Sequence, residues 1–349
     1  MENNKTLRET PHPVLLKKEL PALLCLLLAL ALFCCVVLRI LTPKRMDYGA
    51  VWGMYGEEKE NTIDILFYGS SLTYCDIIPS EIYKSTGIAT FIMAGPEQTM
   101  PVTYRYFLES LKTQSPKAVF IEATGILYER SNRSIKANLM YMPWGLNRLI
   151  PTIQETEGEE RIELLFPMYS YHDRWDKIGI EEIRSNLHGY DADLLAGYTF
   201  LTTAEPIAEI TERTFSEDPD NYSRNLVYAE KIVERCLSDG IKPVFFISPT
   251  SARMNSDVRN KLEEDLTALG AAFVDFNDDF EKLSLDFSTD FYDKLHLNCL
   301  GAEKFSQYLA EKLTEWDYTK TEHSDRELWE ERIAHYTSLR EGMTLSHRS

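Results

Sequence analysis

Two short stretches, far apart in the chain, carry residue types that can do acyl chemistry together: Gly69-Ser70-Ser71-Leu72 and Asp293-Lys294-Leu295-His296. A serine hydroxyl is a poor nucleophile until a base takes its proton. An aspartate three residues before a histidine, on a turn, can hydrogen-bond one imidazole nitrogen and fix the tautomer, leaving the other nitrogen to accept that proton. Each stretch alone has a plainer reading, Ser71 as a helix cap and His296 as an ordinary turn histidine. Their joint occurrence at the right places of an α/β pattern points to a catalytic Ser71, Asp293, His296 set.

The surrounding elements must place these residues. Ile65-Leu-Phe-Tyr68 is an apolar run closed by Gly69, Ser70 and Ser71, which reads as a buried strand opening into a tight turn. Further strands are expected at 89–93, 118–122, 243–247 and 272–274, with helical patterns between them, as at 101–113 and 256–269. Such alternation predicts a three-layer αβα sandwich around a mostly parallel sheet. Ligands in open sheets bind outside the carboxyl ends of the strands, where Ser71 falls. A strand-poor stretch at about 125–218 reads as an inserted helical cap able to shape a cleft.

The chain has 349 residues, 44% hydrophobic and 26% charged, as a globular domain with a sizeable core has. From Leu20 to Leu38 there is no charged residue, which suffices for a transmembrane helix, and no small-x-small exit marks a cleaved signal peptide. The expected order is a cytoplasmic tail at 1–19, an anchor at 20–41, a linker at 42–62, the α/β domain at 63–317 and a charged helical tail at 318–349. Trp329, Ile333 and Tyr336 stand at helical spacing in that tail, which is expected to pack on the surface or fray. Basic residues flank the span on both sides, so charge leaves its orientation open. A formal charge of −18 argues against nucleic-acid binding. The sequence shows no CxxC pair, ligand cluster or phosphate-binding glycine loop, so no metal or nucleotide cofactor is indicated.

Gly69-Ser70-Ser71-Leu72, Gly95 within Met93-Ala-Gly-Pro-Glu-Gln98, and Asp293-x-x-His296 before the last helical pattern together resemble the SGNH hydrolase superfamily, over roughly residues 60 to 315. On an anchored chain the pattern is similar to membrane-tethered DltD-like proteins of envelope acylation. The resemblance implies Ser71 as nucleophile, His296 as base, Asp293 as its orienting acid, and the N–H groups of Ser71 and Gly95 as an oxyanion hole. Where the superfamily carries an asparagine as third donor this chain has Thr124, with Gln98 as another candidate. The resemblance further implies an extracytoplasmic domain, an ester of a cell-envelope glycan or polymer as substrate, and a membrane-bound O-acyltransferase as partner. A non-catalytic polymer-binding or scaffold protein is the alternative. From their chemistry, His172, Arg174 and Trp175 are candidates for binding an anionic or sugar-like group, with an Arg-Asp brace as the plainer reading. Glu122, at the end of a strand, is a candidate site carboxylate, and Cys75 reads as a packed thiol.

Overall fold

Five runs of branched and aromatic residues pair into one parallel sheet: β1 (Ile65–Gly69), β2 (Thr90–Ala94), β3 (Ala118–Glu122), β4 (Lys242–Ile247) and β5 (Ala272–Asp275). The structure is a computed structural model describing residues 13–215, 218–320, 322 and 325–347. Most of the expected tail 1–19 therefore lies outside the described residues. The strand order is β2-β1-β3-β4-β5, with Ile65 paired to both Thr90 and Ala118. This is a doubly wound order, reversing direction at β1, so β1 and β3 flank the crevice where such sheets bind ligands.

Side chains alternate across a strand, and here both faces are covered. Ile65, Phe67, Ile92, Phe120, Val244 and Phe246 share one core with Ile78 and Ile82 at α3 (Pro79–Thr86) and with Phe305, Leu309 and Leu313 of α11 (Cys299–Glu315). On the opposite face Tyr68 meets Phe107 of α4 (Met100–Ser110) edge-on at 6.0 Å, and α9 (Pro219–Asp239) packs beside α4. The three-layer αβα expectation holds. The open edge of β2 is covered by irregular chain, the Ile92 N–H donating to the Ala196 carbonyl at 3.0 Å.

The chain divides into two units, one of Met1–Pro43 with Pro167–Gly189 and one of Lys44–Phe166 with Tyr190–Ser349. The first contains α1 (Pro13–Leu41), whose stretch Glu19–Leu41, with mean hydropathy 2.9, is long and apolar enough to cross a membrane. The expected cap is split between the units. Its helices α5 (Asn132–Leu139), α6 (Leu146–Glu155) and α7 (Gly158–Leu165) belong with the sheet, whereas α8 (Ile180–His188) belongs with α1.

Two segments are more deeply packed than their sequences suggest. The expected linker contains Trp52, Met54 and Tyr55, all buried, with the Tyr55 hydroxyl donating to the Ser110 carbonyl at 3.0 Å. The charged tail forms α12 (Arg326–Gly342), and it does not lie loosely on the surface. Trp329 stacks on Tyr83 with ring centroids 4.7 Å apart, and Arg332, itself buried, pairs with buried Glu58.

Candidate active site

The site begins where β1 ends. Gly69 sits at φ +152°, and a Cβ there would lie 2.4 Å from both the Glu122 Cβ and the Thr73 Oγ1, so the turn requires glycine. Ser70 follows in extended conformation and caps α2 (Ser71–Tyr74), its Oγ accepting from the Leu72 N–H at 3.3 Å. Ser71 is the first residue of that helical turn, and its N–H has no carbonyl within the helix to donate to. The two serines thus have different roles. Ser70 is fully buried, and its hydroxyl donates to Glu122 at 3.2 Å, while the Ser71 hydroxyl stands 2.7 Å from the Nε2 of His296.

His296 is held by a tight loop. Phe291 and Leu297 form an antiparallel bridge, the Tyr292 N–H donates to the His296 carbonyl at 2.9 Å, and Asn298 caps α11 immediately after. Within the loop Asp293 lies 2.9 and 3.0 Å from the His296 Nδ1 through its two oxygens. It also accepts the backbone N–H groups of Leu295 and His296 at 2.8 and 2.9 Å. Burial pushes this carboxyl up, but the His296 bond and charge, with the two N–H donors, outweigh it and hold Asp293 below the ordinary carboxylate range. An ionised Asp293 places the imidazole proton on Nδ1, which leaves Nε2 as the acceptor facing Ser71.

Behind Ser71 lies a buried polar ring. Tyr128 donates to Ser70 at 3.1 Å, Ser70 donates to Glu122, and the Thr124 hydroxyl and N–H both donate to Glu122, the N–H at 3.0 Å. Burial pushes the Glu122 carboxyl up, opposed by the Thr124 bonds, the Arg213 charge and the Ser70 bond. On the loop side Asp76 is fully buried and accepts the Leu297 N–H at 2.9 Å, while its other oxygen has no hydrogen-bond partner. Burial pushes Asp76 well above the carboxylate range, with Asp293 and Glu122 nearby adding to the shift.

No protein-family model matches the chain, and no curated protein does. Solved structures do match it, among them one of similar fold type. That structure is of a G-D-S-L-family protein, assigned as lipolytic, from Desulfitobacterium hafniense, matched at 11% identity and a TM-score of 0.33 over 72% of this chain and 99% of that one. A likeness that low carries no argument about activity, so the geometry has to.

Several expected roles change in the structure. The Gly95 N–H donates to the Gly69 carbonyl at 3.1 Å, so it extends the β1–β2 ladder and is not an open oxyanion donor. Thr124 is turned onto Glu122 by both of its donors. Gln98 and Glu122 are fully buried, and a side chain sealed from solvent cannot touch a substrate, so both become supports. Gln98 spans Asn138 and Thr103, each at 3.0 Å, and the Asn138 side chain fills the space a Cβ on Gly95 would need. His172 and Arg174 fall in the first unit, where Arg174 pairs with Glu182 and the Leu41 carbonyl and the His172 Nδ1 lies 2.5 Å from the Tyr169 carbonyl. Arg174 is thus a brace, with glutamate as partner in place of the expected aspartate.

Cys75 is buried and its thiol is pushed well above its ordinary range by that burial, in keeping with a packed side chain. Sequence reasoning missed Asp76, Tyr128 and Asn138. Only Asp76 carried a signal, as a lone carboxylate inside the apolar run Cys75-Asp-Ile-Ile78. Asn138 and Tyr128 are brought in by the insertion, whose path no local pattern reveals.

Proposed function

We propose that this chain is a membrane-anchored serine esterase or O-acyltransferase of SGNH type that carries an acyl group on Ser71. The observation supporting it is the line from the Ser71 hydroxyl through the His296 Nε2 and Nδ1 to Asp293, each link at 3.0 Å or less. His296 takes the Ser71 proton as Oγ attacks the ester carbonyl carbon. The bond to the leaving alkoxide then breaks as the same proton returns to it, and an acyl-Ser71 remains. A second hydroxyl or a water, deprotonated by His296, attacks the acyl carbon, and the bond to the Ser71 Oγ breaks as that proton passes from His296 to Oγ. The N–H of Ser71, at a helix start, suits the developing oxyanion. On this reading the acyl acceptor is a hydroxyl of an envelope glycan or polymer, the domain is extracytoplasmic, and a membrane-bound O-acyltransferase is a natural partner.

The committed Gly95 N–H and Thr124 hydroxyl favour a second reading, a non-catalytic scaffold or polymer-binding protein. Labelling the detergent-solubilised full chain with a fluorophosphonate separates the two. An enzyme gives a labelled wild type and Ser70→Ala, no label in Ser71→Ala, and a rate down by about 10²- to 10⁴-fold in His296→Ala. A folded wild type that takes no label would leave the scaffold reading standing.

A further inference from the structure

The unit built on α1 carries an exposed apolar surface of its own. α1 runs apolar from Glu19 to Leu41, 23 residues, which at 1.5 Å per residue gives roughly 34 Å against a hydrocarbon core of about 30 Å. Its last turn, Arg39 to Leu41, is therefore at the edge of the core when α1 spans a bilayer. Four bonds fix the segment Pro167–Gly189 at that level. Arg39 donates from Nε to the Asn186 carbonyl at 3.2 Å and from Nη2 to the Leu187 carbonyl at 3.1 Å, and the Asn186 side chain donates to the Ile40 carbonyl at 2.7 Å. Arg174 donates to the Leu41 carbonyl. Between them these groups serve three carbonyl and guanidinium groups at the helix end that would otherwise need water or lipid headgroups.

What this segment turns outward is apolar. Trp175 is 73% exposed, Ile180 72%, Tyr169 49% and Leu187 47%. Ile180 and Leu187 are seven apart on α8 and so share a helical face, to one side of buried Asn186. The three cations of the segment are each paired within it, Lys177 with Asp173, Arg184 with Glu181 and Arg174 with Glu182, and Asp176 makes any surplus negative. A surface of Trp, Tyr, Ile and Leu without surplus positive charge, tied to the exit turn of a spanning helix, fits the headgroup layer, where amphipathic aromatic rings concentrate. It does not fit a polyanion. We propose that Pro167–Gly189 is a membrane-interface element that seats Trp175, Ile180 and Leu187 in the lipid headgroup layer of the leaflet from which α1 emerges.

The proposal rests on α1 spanning the bilayer and is independent of any catalysis by Ser71. Carbonate extraction of membranes tests the anchor by itself. For the surface, the full chain is reconstituted in phosphatidylcholine nanodiscs, with and without lipid brominated near the headgroup end of its chains. The emission difference between wild type and Trp175→Phe isolates Trp175. We expect that component to be quenched by the brominated lipid and shielded from aqueous iodide, and its emission to shift to longer wavelength with iodide access gained in Ile180→Asp/Leu187→Asp. Quenching by iodide alone in the wild type would place Trp175 in water and overturn the proposal. Shielding from both quenchers would also overturn it, by showing a second copy or a partner protein on that face. A chain that resists carbonate extraction but gives either result would fail on the surface and not on the anchor.

Discussion

Asp76 ties the Ser71 turn to the histidine loop, since it lies two residues beyond the end of α2 and accepts the Leu297 N–H one residue beyond His296. Its folded-state pKa is raised by burial, above the value it takes in the unfolded chain. Between those two values the folded protein holds a proton that the unfolded chain has released, so stability is greatest below the ordinary carboxylate range and declines as pH rises toward the folded value. Asp76→Asn keeps the acceptor and has no such proton. Its melting temperature is expected to fall less than that of wild type between about pH 5 and about pH 8 in parallel thermal scans. Asp76→Ala leaves the Leu297 N–H buried without its acceptor, a loss of about 1–3 kcal/mol, and should slow fluorophosphonate labelling where Asp76→Asn does not. Equal pH slopes in wild type and Asp76→Asn would show that Asp76 is not the group responsible. At this scale the placing of Ser71 after a strand and the pairing of Asp293 with His296 were legible in the sequence, because strand ends and i,i+3 turns are local. It was misleading about Gly95, Thr124 and Gln98, because position after a strand does not reveal which acceptor an N–H or hydroxyl has found. Gly95 found the Gly69 carbonyl and Thr124 found Glu122.

Among the elements, α12 departs most from its sequence, which reads as a charged tail yet supplies core. Trp329 covers Tyr83 of α3, and Arg332 donates from Nε to the Asp193 carbonyl at 2.8 Å while pairing with Glu58. Burial pushes the Glu58 carboxyl up, and the Arg332 charge and hydrogen bond oppose that shift. Removing the guanidinium therefore leaves a carboxyl in a poorly solvated site with its main partner gone. Arg332→Ala is expected to destabilise by about 3–5 kcal/mol in urea unfolding, whereas the exposed pair Arg326–Glu330 should contribute less than about 1 kcal/mol when Arg326 is truncated. Similar midpoints for the two variants would mean that α12 is peripheral after all. The five strands and the helices between them were legible, since branched runs ending in glycine or small polar residues mark buried strands directly. The depth of α12 and of Trp52–Tyr55 was not, because their partners, Tyr83 and Glu58 for one and Ser110 and Phe91 for the other, are distant in sequence.

For the molecule as a whole, the division into two units puts the candidate site and the apolar helix α1 in different units. Ser71, Glu122, Asp293 and His296 all belong to the unit of Lys44–Phe166 and Tyr190–Ser349, while Pro167–Gly189 belongs with α1. A fragment beginning at Lys44 should therefore keep the hydrogen-bonded line to Ser71 and label with a fluorophosphonate at the full-chain rate. It also deprives Arg174 and Asn186 of their α1 carbonyl partners, Leu41 and Ile40, and leaves Trp175, Ile180 and Leu187 facing water. A formal charge of −18 over the full chain opposes association, so any self-association must be apolar in origin and should strengthen when salt screens that repulsion. Light scattering of the fragment is expected to show salt-enhanced oligomers, and replacing 167–189 by a flexible Gly-Ser linker of about ten residues should return it to a monomer. Labelling of that shortened fragment decides the matter at this scale. An unchanged rate means the insertion's second half serves the membrane end alone, whereas a lost or slowed rate would make Pro167–Gly189 part of the machinery around Ser71 and join the two units in one function.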